Sequence, residues 1–196
     1  VREYAVASID WDCEVKTRFL EENNGCRDAL SGAISWFFDQ EDAGIILEDD
    51  CVPGLDFFRY CDQLLTKYSD DDRVMHIGGS CLTSLGELDA SYYFSRYPII
   101  WGWASWSRAW EHFSLDRPDP DQFVELTERF STPGEQKYWK FLLNRYYDGH
   151  IDTWDYAWAT SIWLRKALSI SPTRNLVSNV GFGQGSTHTK SWKDYR

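Results

Sequence analysis

The sequence predicts an α/β domain in which helices cover a sheet, and three observations predict it. A short apolar run, Gly44-Ile45-Ile46-Leu47, ends abruptly in Glu48-Asp49-Asp50 and then Cys51-Val52-Pro53. A run of that length, led in by glycine and closed by proline, has the pattern of a buried central strand. Ahead of it, Cys13 to Phe19 alternates as a strand does, and Arg27 to Asp39 carries Ala29, Leu30, Ala33, Ile34, Phe37 and Phe38 at helical spacing. Strand, helix, strand in that order is the right-handed unit of a parallel sheet. The 196 residues suit one domain with a sizeable core. The chain starts at Val1 rather than Met, and the expectation is one domain over 1–196 whose first strand lies upstream of Val1.

The remaining elements follow in order. Val1 to Ile9 reads as the tail of a helix, and Asn23-Asn24-Gly25 as a turn. Asp56 to Tyr68 is amphipathic, with Phe57, Phe58, Tyr60, Cys61, Leu64 and Leu65 on a broad apolar face. Arg73 to Gly79 is the next strand, Leu85 to Ala90 a loop and Tyr92-Tyr93-Phe94 a short strand. Ser105 to Phe113 is expected to be helical. Pro118-Asp119-Pro120 breaks the chain, and helices follow over about 121–130 and 134–147. A long amphipathic helix runs from Asp152 to about Ala167, with Asp152 expected at the N-cap, where its carboxylate accepts unpaired amides of the first turn. Leu168 to Pro172 is a strand, and Asn175 to Val180 an extended segment.

The acids carry the chemistry. They fall at the C-terminal end of a strand, where open α/β sheets place their ligands. Three adjacent carboxylates repel one another unless a cation or ligand donors sit among them, so a divalent metal carrying a diphosphate is a natural occupant. A triplet alone is weak: with 31 Asp and Glu in 196 residues, about one arises by chance, and Asp70-Asp71-Asp72 is that case on a solvated turn. Context separates the two, because Glu48 to Asp50 emerge directly from Ile45, Ile46 and Leu47, whereas Asp70 to Asp72 lie between Ser69 and Arg73.

Composition narrows the partners. A net charge of −11 argues against nucleic acid or an anionic membrane surface as a general partner. Trp, Tyr and Phe number 11 each; most belong in a core, but flat rings with a polar edge are also what sugar faces stack on. Five cysteines without a C-x-x-C pair read as free thiols in a reducing compartment, hence a cytoplasmic expectation, with peripheral attachment to a membrane left open. No stretch approaches the length of a transmembrane helix, and no signal peptide is visible.

Two further blocks complete the candidate site. In Trp101-Gly102-Trp103 a residue without a side chain stands between two indoles, which lets a flat ligand reach the backbone while the rings wall it in; the competing reading packs Trp103 and Trp106 inward on one helix face. Asp155 lies in the first turn of the Asp152 helix, where the helix dipole favours a carboxylate. Near the end, Gly181 to Thr189 is a glycine-rich loop carrying His188, which could reach back over the acidic strand end as a metal ligand.

With these residues set out, the chain resembles the metal-dependent glycosyltransferases of the GT-A fold, most closely the inverting enzymes similar to N-acetylglucosaminyltransferase I. Glu48-Asp49-Asp50 followed by Asp56-Phe57-Phe58 resembles that family's EDD motif and the helix after it. Tyr92 to Trp103 resembles its aromatic stretch ending in Gly-Trp, Trp154-Asp155 its Trp-Asp segment, and Gly181 to His188 its Phe-Gly to Ser-His loop. The order and spacing of the blocks, over most of residues 14–190, carry the likeness. It implies a GT-A, Rossmann-like mixed sheet flanked by helices, lacking its first strand here. It implies transfer of a sugar from a nucleotide-diphosphate donor, a UDP-sugar above all, to a glycan or other hydroxyl acceptor, with Mn²⁺ or Mg²⁺ as cofactor. Asp50 would then bind the metal with His188, Asp49 would face the ribose and Glu48 the transferred sugar. Trp101, Gly102 and Trp103 would line the sugar pocket, and Asp155 would be the catalytic base. Gly78-Gly79-Ser80-Cys81 stands where relatives carry more Asn and Asp, which leaves the donor sugar open. A non-catalytic carbohydrate-binding module is the rival reading; a metal-dependent phosphoesterase would need a second His and Asp cluster, and only four histidines are present.

Overall fold

In the computed structural model, which describes residues 2–82 and 89–181, the apolar run before the acids forms strand β1, Ala43–Ile46, following helices α1, Arg2–Ala7, and α2, Gly25–Phe38. The chain then turns through the acids into a short strand β2, Cys51–Pro53, and enters α3, Leu55–Lys67. Next come β3, Val74–Gly78; β4, Tyr92–Ser95; β5, Trp103–Trp106; and the helices α4, Ser107–Trp110, α5, Pro120–Glu128, α6, Pro133–Tyr147, and α7, Asp155–Leu164. Strands β6, Leu168–Pro172, and β7, Val177–Asn179, follow.

The result is a mixed five-stranded sheet flanked by helices, in the order β1-β5-β3-β6-β4, with β2 and β7 forming a separate antiparallel ribbon. Strand β5 runs antiparallel to both β1 and β3, and β6 runs parallel to β3. Strands β1, β3 and β6 therefore point the same way, and their carboxyl ends share one edge of the sheet. β3 is buried along its whole length, as its run of Val74, Met75 and Ile77 requires.

Several expectations are corrected. β1 is not central: it is half-buried and lies at the end of the sheet order. Its expected parallel neighbour, Cys13 to Phe19, forms no strand, and Val15 and Phe19 are exposed. Alternation makes a strand only where a partner backbone and a buried face await it. Trp103 to Trp106 is a strand rather than the start of a helix, and only Ser107–Trp110 is helical, because the segment fills the gap between β1 and β3. Asp152 does not cap α7. The chain stays non-helical through Trp154, whose ring stacks on Trp103 with centroids 5.5 Å apart, and the helix begins at Asp155. Asp152 lies instead against Gly25 at the start of α2: a Cβ there would come within 2.9 Å of its Oδ2.

The core is a tryptophan layer. Trp103, Trp154 and Trp158 are fully buried with Trp110 beside them, and His76 stacks on Trp103 at 5.1 Å. His76 is wholly enclosed, and desolvation drives its pKa down to about 3. The ring is thus neutral. Nε2 donates to the Ile99 carbonyl at 3.1 Å, which leaves Nδ1 to accept from Trp158 Nε1 at 3.2 Å. This bond ties β3 to α7, the helix that begins with Asp155. Among the described residues, no helix is long and apolar enough to cross a membrane.

Candidate functional site

The acids occupy a tight turn at the carboxyl edge. Cys51 N–H donates to the Glu48 carbonyl at 3.0 Å, closing the turn between β1 and β2, and Val180 N–H donates to the Asp50 carbonyl at 2.8 Å, tying it to the segment after β7. Glu48 and Asp50 are half-buried and Asp49 is exposed. Burial first, then the charges of Asp50, Asp155 and Asp49, push the Glu48 pKa up to about 7. A carboxyl shifted this way lies in a site short of positive charge.

Asp155 is brought to this turn. It stands about a hundred residues further on, at the first position of α7, yet its charge acts on Glu48. The Thr153 hydroxyl donates to Asp155 Oδ1 and fixes the orientation of the carboxylate. The start of α2 closes the same region: burial, then the charges of Glu48, Asp152 and Asp155, push the Cys26 thiol up to about 11, against a hydrogen bond with Thr153 that lowers it. Cys26, Asp152 and Thr153 therefore belong to the site although no motif marks them in the sequence. The one available signal is position: Thr153 stands two residues before Asp155, and Cys26 follows a turn at a helix start.

The aromatic block divides. Trp101 is half-buried, and its carbonyl accepts from Ser80 Oγ at 3.1 Å. Gly102 has φ +66°, and a Cβ there would meet Val177 at 2.8 Å and Leu47, the neighbour of Glu48, at 3.2 Å. This glycine is required by its own chain, since its carbonyl also accepts from Gly79 N–H at 2.7 Å, rather than by a ligand approaching the backbone. Trp103 is corrected outright. Its ring is 0% exposed, packed among Trp110, Trp154 and Trp158, and faces no ligand. The position of β5 decides this: all four of its residues are buried between β1 and β3, and the Trp103 ring joins the layer that packs against Trp158 of α7. His188 lies outside the described residues.

Among the described residues no three His, Cys, Asp or Glu side chains converge as a chelate complete in itself. The donors present suit a different type of site, in which one or two carboxylates hold an ion such as Mg²⁺ or Mn²⁺ and substrate phosphates supply further oxygens. Asp50, half-buried at the turn, is the candidate for that role; Gly181 packs against it so closely that a Cβ would fall 2.1 Å from Oδ2 and the carboxylate would have to shift. No protein-family model matches the chain, and no curated protein matches it.

Proposed function

We propose that the chain is a GT-A-type glycosyltransferase domain that moves a sugar from a nucleotide-diphosphate donor, a UDP-sugar in the first instance, to a hydroxyl acceptor with inversion. The observation that carries the reading is that Asp155, at the start of α7, stands near enough to the acid turn at the carboxyl edge of the sheet for its charge to act on Glu48. Two carboxylate groups from distant parts of the chain are what an inverting transfer needs: one side to hold the leaving group, the other to take the proton of the attacking hydroxyl.

Asp50, with His188 as a second ligand, would hold Mn²⁺ or Mg²⁺, which when bound neutralises the departing diphosphate. Asp49, the exposed member, faces the ribose, and Glu48 the transferred sugar. Trp101 supplies the aromatic wall. Asp155, oriented by Thr153, accepts the acceptor's proton as the new glycosidic bond forms.

Thermal shift with a set of nucleotide sugars, with and without Mn²⁺, identifies the donor; UDP-sugars are expected to stabilise the protein only with metal present. With that donor, Asp155→Asn is expected to lower turnover by about two to four orders of magnitude while donor affinity is kept, the size of effect of a positioned base. Turnover within a few fold of the parent, or a product that keeps the donor's anomeric configuration by NMR, overturns the assignment. Donor binding without any turnover favours a carbohydrate-binding module on the same fold.

A further inference from the structure

A cleft of about 920 Å³ opens farther along the same edge of the sheet, and none of the catalytic, donor-binding or metal-binding candidates lines it. Its volume lies within the range of roughly 300–1,000 Å³ usual for small-molecule sites. The β2–β7 ribbon separates it from the acid turn. At one end of the ribbon Asp50 meets Val180; at the other Gly54 N–H donates to the Leu176 carbonyl at 2.9 Å, and Leu176 lines the cleft. Three residues of strand place the two sites about 10 Å apart. The walls come from α3, from the turn entering β4 and from the turn leaving β6.

The lining has a specific chemistry. Arg59 and Arg174 bring donors only, Asp56 and Asp89 acceptors only, and Gln63 both. Among the described residues none of these four charged groups is joined in an ion pair, so each has hydrogen-bonding capacity to offer. The two cations offset the two anions, and neither a strongly anionic nor a strongly cationic ligand gains from the field. Tyr60 adds a partly buried ring, and its buried hydroxyl has no hydrogen-bond partner among the described residues. A guanidinium donates two parallel N–H bonds and a carboxylate accepts two O–H bonds, which is the pattern vicinal hydroxyls satisfy, while a flat ring suits the C–H face of a pyranose.

We propose that this cleft is a second, saccharide-binding site for neutral glycans, distinct from the acid turn. Arg59 and Arg174 grip vicinal hydroxyls from opposite walls, Asp56 and Asp89 accept from them, and Tyr60 forms part of the apolar floor. The site does not need the transfer reaction and would hold sugar in a chain that never turns over.

The test is saturation-transfer difference NMR on the whole chain with chitotriose, maltotriose and lactose, and with inorganic phosphate followed by amide shifts. At least one saccharide is expected to bind, and Arg59→Ala with Arg174→Ala to weaken it fivefold or more; both side chains are exposed, so an unchanged melting temperature checks that the fold is intact. Asp50→Ala and Asp155→Asn are expected to leave this binding unchanged. Absence of binding by all three saccharides, binding that survives the double arginine change, or phosphate bound as well as the sugars each overturn the proposal. A saccharide lost with Asp50→Ala but kept in the arginine variant belongs to the acid turn, which overturns the cleft and leaves the transferase reading standing.

Discussion

The chain contains two runs of three acids, and the fold treats them in opposite ways. Asp70-Asp71-Asp72 lies on the turn before β3 among arginines. Arg73 grips Asp71 with Nε on Oδ1 at 2.8 Å and Nη2 on Oδ2 at 2.7 Å, and these bonds hold the Asp71 pKa down at about 2. Arg108, spread over the Trp106 ring, comes within 3.6 Å of Asp72. Glu48-Asp49-Asp50 has no such partner among the described residues; its neighbours are further carboxylates, and the Glu48 pKa rises to about 7. Identical chemistry is thus satisfied at one turn and frustrated at the other. Only the frustrated triplet gains from a cation, since the arginines already supply the charge at the other.

The largest expected effect exploits that contrast directly. Asp50→Ala is expected to reduce Mn²⁺-dependent affinity for UDP by more than about 100-fold, beyond what loss of an outer-shell partner costs, whereas Asp72→Ala stays within about twofold. Calorimetry with and without Mn²⁺ reads both; equal affinities in parent and Asp50→Ala would erase the functional difference between the triplets.

Next in size is the aromatic wall. Trp101→Ala is expected to cost roughly 1–2 kcal/mol in sugar affinity with the melting temperature nearly kept, whereas Trp103→Ala costs roughly 3–5 kcal/mol in stability. If the two variants exchange these outcomes, the division of the aromatic block is wrong.

The smallest effect is in the pH dependence of melting, measured in chelator, and the two triplets have opposite signs. Glu48 rises from 4.5 to about 7 on folding, so its contribution is intact below pH 4.5 and stability is lost as pH climbs through 7. Asp71 falls from 3.8 to about 2, so its contribution is present above pH 3.8 and is lost as pH drops through 2. Glu48→Gln is expected to melt higher than the parent at pH 8 and alike at pH 4; Asp71→Asn melts slightly lower at pH 7 and alike at pH 2. Curves that run parallel to the parent's at every pH contradict the shifts.

How much of this was legible depended on whether the signal was local. Helices α2, α3, α5 and α6 and strands β3, β4 and β6 follow from periodicity and breakers, because an amphipathic stripe or a proline acts within a few residues. The acid turn was legible for the same reason: an apolar run that ends in charge marks an element's end wherever the element sits. Its neighbours were not. That Cys26 and Thr153 join Glu48, or that Arg73 and Arg108 rescue the other triplet, is set by contacts across long separations that no spacing encodes.

The sequence by itself determined the strongly periodic helices, the strands β3, β4 and β6 and where charge would collect. Tertiary structure alone decided what each segment faces. Cys13 to Phe19 alternates correctly and still forms no strand, since a ladder needs a partner. Trp103 and Trp101 are equally aromatic, but Trp103 opens β5, inserted between β1 and β3, and its ring lies in the core against Trp154, whereas Trp101 stays in the half-buried bend ahead of the strand. Burial is a property of the assembled sheet, and the same carboxylate or indole ends at the surface or in the core according to what the rest of the chain packs against it.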